Sequence, residues 1–411
     1  MPSRTAENGA SLHSMADSTA ALAQLAVTVG ANVTPGQTVI VNAKLGQEPL
    51  ARAIAAAAYD AGAHLVDVSY ADPHVQLARL QHAPEDAMGK VLPWVRRRPL
   101  ELAEVQGALI SLSGPAAPGL LDAVDSGRIG RDAVAIKEGI QVIADRAISW
   151  SILPGPTEPW ASLVYPDLDG PAALERLWKE ISHICRLDED DPTAAWRARS
   201  DELAAAAVRL GEAELDSLHY LGPGTDLTVG LLPGVRWSGG GFETKWGQRH
   251  LPNVPTEEVF TSPDPARTEG HVTSTKPLLV SGRAVLGLKV RFEGGRAVQI
   301  DADEGADLLR ELVKRDEDAN RLGEVALVDH SGRIGASGTV FHDTLLDENA
   351  ASHIALGAGF RHLAQDAASG EPINQSGVHT DFMIGGPELE ITGRTRDGRE
   401  IPVLIGERWA T

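Results

Sequence analysis

The hydrophobic period of this 411-residue sequence changes near residue 217, and that change restricts the chain to folds that join two differently built halves. Before it, strand and helix patterns alternate. Thr38–Asn42 is a β-branched run, and Glu48–Ala61 is an alanine-rich helical pattern with Pro49 in its first turn and Gly62 just past its end. His64–Tyr70 is a second strand, which completes a βαβ unit. Ala108–Leu112 and Ala147–Ile152 read as further strands, preceded by helical patterns near Leu100–Gln106 and Asp132–Asp145. Right-handed crossovers make a parallel sheet the natural product. After the change, Gly, Pro and Asp turns divide the sequence into short strands, with helical patterns only near Gly305–Lys314 and Asn349–Ala364. Two further helical patterns, Ala173–Cys185 and Asp201–Leu210, flank an acidic, proline-ended break at Leu187–Pro192. The sequence thus predicts an α/β domain with a parallel-type sheet over 1–190, residues 1–16 being a flexible arm. A helical linker over 191–216 and a β-rich α+β metal-binding domain over 217–411 follow.

Charge and composition exclude several functions. With 37 Lys and Arg against 57 Asp and Glu, the formal net charge is −20. Neutralising a phosphate backbone needs clustered cations, so neither nucleic acid nor an anionic membrane surface is an expected partner. The opening residues lack the apolar run of a signal peptide, and no stretch approaches the ~18 apolar residues of a membrane span. A single cysteine, Cys185, argues for a reducing compartment, and the cytoplasm is the expected location. The turn after the first strand, Ala43–Gln47, lacks the glycine fingerprint of a dinucleotide site, and Ser238–Phe242 reads as a turn.

Four segments of the β-rich half carry candidate chemistry. In Asn253–Phe260, two adjacent carboxylates enter a strand, so Glu257 and Glu258 point to opposite faces and one can face a pocket. Glu324 opens an otherwise apolar strand, where a carboxylate is either at the surface or buried with a partner. Glu348 precedes Asn349, read as a helix cap, and His353 lies just inside that helix, so the two can converge at its N-terminus. His379 and Asp381, two residues apart in an extended segment, share a face. Together these are four carboxylates and two imidazoles. Four negative charges balance two divalent cations, with room left for water and substrate.

These segments are also where the sequence resembles a known family, the aminopeptidase T/aminopeptidase S metallopeptidases (M29). The resemblance rests on NVPTEEVFTSPD (253–264), STKPL (274–278), GEVALVD (323–329), TLLDENAASHIALG (344–357) and NQSGVHTDFMIG (374–385), with LAVTVGANVTPGQTVIV (25–41) and ISWSILPGPTEPWA (148–161) extending it over nearly the whole chain. It implies metal ligands at Glu258, Glu324, Glu348, His353, His379 and Asp381. It also implies a homodimer and release of N-terminal amino acids from peptides at a dinuclear zinc or cobalt site. Glu257 is the candidate for the carboxylate that shuttles the proton.

The sequence departs from the family pattern at two places. Members place a tyrosine seven residues after the helical histidine, two helical turns on; here that residue is Phe360, which has no hydroxyl to donate. The interval from His353 to His379 is also several residues short. Two other readings keep the metal and change the chemistry: a single Fe(II) opening an aromatic ring, as in dihydroxypyridine dioxygenases, which an apolar Phe360 wall would suit, or a metal-stabilised dimer without turnover.

Overall fold

A computed structural model describes residues 14–132, 136–280, 282–406 and 408–410, so most of the expected flexible arm lies outside the described residues. Residues 15 and 16 already belong to a helix, Met15–Leu25, closed at its start by reciprocal hydrogen bonds between Ser14 and Asp17.

The first half builds a parallel sheet. Its strands β1 (Thr38–Lys44), β2 (Leu65–Ala71), β3 (Ala108–Ser113) and β4 (Ser149–Pro154) lie in the order β2-β1-β3-β4. The inner strands bury Val39, Val41, Ala108 and Ile110 completely, as parallel strands covered on both faces require. The Glu48–Asp60 helix lays Leu50, Ala51, Ile54 and Ala58 on that core. The helix expected near Leu100–Gln106 starts earlier, at Pro93, and ends at Glu104. In place of one helix over Asp132–Asp145 there are two, Ser126–Asp132 and Lys137–Ala144, with 133–135 outside the described residues.

The second half is antiparallel. An eight-stranded sheet packs against a five-stranded one formed by β5 (Ser238–Gly239), β6 (Glu258–Thr261), β7 (Leu322–Val328), β8 (His353–Gly357) and β9 (His379–Met383), in the order β9-β8-β7-β6-β5. One face of the smaller sheet supplies Val259, Val325, Leu327, Ile354 and Phe382 to the shared core. Its other face is free for the site.

Two features tie the halves together. The Pro192–Glu212 helix places Trp196 in the first core and Leu203, Ala206, Ala207 and Leu210 in the second. The chain at 251–254 lies along the open edge of β4. There the Ile152 amide donates to the Pro252 carbonyl at 2.7 Å, and the Val254 amide donates to the Ile152 carbonyl at 3.0 Å. Leu251 and Val254 sink into the first core.

One expected element is absent. In place of a helix over Asn349–Ala364, a five-residue helix, Thr344–Glu348, ends just before Asn349, and strand β8 follows. All five residues of β8 are buried between β7 and β9. A short apolar run of this kind carries no periodicity to distinguish strand from helix, and pairing on both edges decides the outcome. Asn349 is correspondingly not an N-cap: its side-chain carbonyl accepts the Glu257 amide at 2.7 Å.

Candidate metal centre

The five-stranded sheet assembles the site by register. Glu258 pairs with Val328, Phe260 and His353 with Ala326, Ala355 with Glu324 and Asp381, and Gly357 with His379. Directly paired residues and alternate residues along a strand share a face, so Glu258, Glu324, His353, His379 and Asp381 project from the same side. Ala326, Ala355 and Gly357, on that side too, leave the volume that the larger groups occupy. Glu348 reaches the same cleft from the end of its short helix, where Asn253 Nδ2 donates to its Oε1 at 3.4 Å.

The ligand atoms fall into two groups, each with its atoms within 4.8 Å of one another: Glu258, Glu324 and His353, and Glu324, His379 and Asp381. Glu324 is common to both. Its Oε1 lies 4.0 Å from His353 Nε2, and its Oε2 lies 3.1 Å from His379 Nε2. Glu258 Oε2 is 3.2 Å from His353 Nε2, and Asp381 Oδ1 is 3.3 Å from His379 Nε2. Each imidazole is turned by its second nitrogen: His353 Nδ1 faces the Ala351 carbonyl at 3.3 Å and His379 Nδ1 the Ala358 carbonyl at 2.9 Å. With Nδ1 turned to a backbone carbonyl, Nε2 is the nitrogen that faces the carboxylates, and giving up its proton would make it a metal-binding nitrogen.

The electrostatics match this chemistry. Burial, with the neighbouring Asp381 carboxylate, pushes Glu324 up to about 7 against the hydrogen bond from His379. Burial and the carboxylates of Asp381 and Glu258 drive Glu348 well above its usual range. Burial alone would lower His353, but its hydrogen bond to Glu258 and the surrounding carboxylates hold it up at about 10. Four buried carboxylates cannot all ionise around two imidazoles without further positive charge, and divalent cations are the charge that this donor set fits.

Glu257 is elsewhere. Its carboxylate is on the opposite side of the chain from Glu258 and is 1% exposed, held by Arg199 at 2.6 Å and Arg186 at 3.2 Å. Two guanidiniums occupy it and it does not line the cleft, so the expected proton-shuttle role is corrected to a structural ion pair. Phe360 does line the cleft, although it follows β8 in a loop rather than lying on a helix; its ring centroid is 5.5 Å from that of His379 and 4.9 Å from that of Phe260. Sequence reasoning passed over Asn253. It opens the same motif as the two glutamates, and that position was the available signal.

Comparison with known proteins places the chain in a family. The model of the M29 thermophilic metalloprotease family matches residues 15–409. Aminopeptidase T of Thermus aquaticus is 40% identical over 397 residues, covering 94% of this chain and 97% of that protein. Aminopeptidase 2 of Geobacillus stearothermophilus is 40% identical over 404 residues, covering 94% and 96%. The structure of wild-type AmpT from Thermus thermophilus superimposes with a TM-score of 0.88 at 37% identity, covering 97% of this chain and 100% of that one. With the family model spanning almost the whole chain and relatives 40% identical over 94% of it, this protein belongs to the M29 family of metallopeptidases.

Proposed function

We propose that the protein is an aminopeptidase that releases N-terminal amino acids from peptides at a two-ion centre, zinc or cobalt being the ions that the family resemblance implies. The observation that carries this reading is the pair of ligand groups sharing Glu324, with both imidazoles turned inward by backbone carbonyls. Glu258 and His353 would hold one ion, His379 and Asp381 the other, and Glu324 would span both. Glu348, steadied by Asn253, would complete the ligand set. When bound, such ions polarise a carbonyl and make water a nucleophile at neutral pH. Phe260 and Phe360 form an apolar wall that keeps bulk water from the scissile bond. Four carboxylates around two imidazoles fit this chemistry better than the two-His, one-carboxylate set of a ring-opening iron site. A homodimer belongs to this proposal on the family resemblance, and a cytoplasmic setting on the lone, buried Cys185.

Metal analysis together with hydrolysis of aminoacyl-p-nitroanilides tests the proposal. About two ions per chain are expected. Activity should be lost on chelation, restored by Zn²⁺ or Co²⁺, and absent on N-acetylated substrates. A single iron with oxygen uptake, or cleavage of the blocked substrates, would overturn it.

A further inference from the structure

The cleft, of about 300 Å³, continues past the metal ligands into a recess that the hydrolytic chemistry does not use. A line of rings leads into it. Phe360 lies between His379, at 5.5 Å, and His362, at 5.9 Å; Phe242 then stands edge-on to His362 at 5.1 Å and 6.4 Å from His250. Trp150, from the edge strand of the parallel sheet, closes the far side 6.4 Å from His250.

The two imidazoles are out of place in such surroundings. His362 Nε2 is buried and unpartnered, and His250, 5% exposed, has no hydrogen bond of good geometry, only a weak approach to the Gln248 backbone. Burial pushes both rings down to about 4, so at neutral pH each is an uncharged imidazole with one donor and one acceptor. Buried polar groups are normally satisfied, and two unsatisfied ones on one apolar recess mark a place that a ligand's polar group completes.

We propose, building on the aminopeptidase reading, that this recess receives the side chain of the substrate's N-terminal residue and selects an aromatic ring with a hydrogen-bonding tip, tyrosine over phenylalanine. Only one ring, Phe360, separates His379 from His362, so a benzyl group starting at the metal end lies along Phe360 and brings a para hydroxyl to His362, with His250 behind it. A leucyl side chain fills the entrance and reaches neither imidazole.

The test is kcat/KM for Tyr-Ala, Phe-Ala, Leu-Ala and Glu-Ala with metal-loaded enzyme and its His362→Phe and His250→Phe variants. Binding of tyrosinamide and phenylalaninamide is measured by calorimetry in parallel. One neutral hydrogen bond predicts a tyrosine-to-phenylalanine ratio of about fivefold, with leucine below both. His362→Phe should bring that ratio to about one; each variant is its own control, because the ratio does not depend on the amount of folded protein. Equal rates for tyrosine and phenylalanine, a ratio unchanged in both variants, or a preference for Glu-Ala captured by Arg146 at the rim would overturn the recess. If no dipeptide is cleaved, the aminopeptidase reading fails, and the amides then decide the recess: equal affinities overturn it, and a tyrosinamide preference lost in His362→Phe supports it.

Discussion

At the metal end of the cleft, His353 is surrounded by carboxylates and is held up at about 10, whereas at the aromatic end His250 lies among rings and is pushed down to about 4. The side chain is the same and the burial similar; only the neighbours differ. Burial raises the cost of any charge, and whether a histidine then carries one is decided by whether an anion shares the space. The carboxylate-lined end is therefore suited to cations and the aromatic end to neutral groups.

Removing what distinguishes the metal end should have the largest effect. Glu324→Ala takes a carboxylate from both ligand groups at once, and kcat/KM should fall by about 10³-fold or more with loss of bound metal. Full metal content by elemental analysis would show that Glu324 does not join the groups. Just before β6, on the opposite side of the chain from Glu258, Glu257→Gln leaves Arg186 without its carboxylate and Arg199 with Glu202 alone. It should cost about 3 kcal/mol in denaturant unfolding while metal content stays whole, and metal loss would mean that the two faces are not independent.

The aromatic end should respond to acid. A histidine whose folded pKa is depressed contributes stability that is present above its unfolded value of about 6.5 and is lost as the pH falls through about 4. His250 alone then accounts for a loss of about 3 kcal/mol between pH 7 and pH 3.5, and His250→Phe should flatten that part of the profile in unfolding titrations. An unchanged slope would mean that the ring finds water or a partner. The smallest change sharpens the boundary between the ends. Phe360→Tyr adds a donor beside His379 and should raise kcat several-fold with less effect on KM; an unchanged kcat would mean that another group already meets the developing oxyanion.

Much of the metal end is legible in the sequence because it depends on alternation. The spacing of His379 and Asp381 places both on one face, as the sheet shows, and the adjacency of Glu257 and Glu258 sends one to Arg186 and Arg199 and the other to the cleft. What alternation cannot say is which of the two glutamates faces the cleft, because the answer lies in Arg186 and Arg199, 71 and 58 residues away. The setting of His353 was misread for a related reason. An acidic pair followed by Asn and an apolar run satisfies a helix-start pattern, but the run is the fully buried centre of a sheet, and its identity depends on strands that pair with it from elsewhere. The recess carries no sequence signal at all. Trp150, His250 and His362 come from three unrelated segments, and only the closure of the second half onto the edge of β4 brings them together.

That closure has a consequence for how the molecule comes apart. The strand bearing Glu258 is reached directly from Pro252–Val254, which is hydrogen-bonded to β4, so the first of the proposed ligands is moored to the opposite half of the protein. Prising the halves apart must drag on Glu258, and an ion gripping Glu258 must resist the prising. Occupancy of the centre and integrity of the seam are thus reciprocal quantities, and an ion at 100 times its Kd would add about 2.7 kcal/mol to the work of opening. The metal would act as a rivet through the molecule as well as a reagent in its cleft.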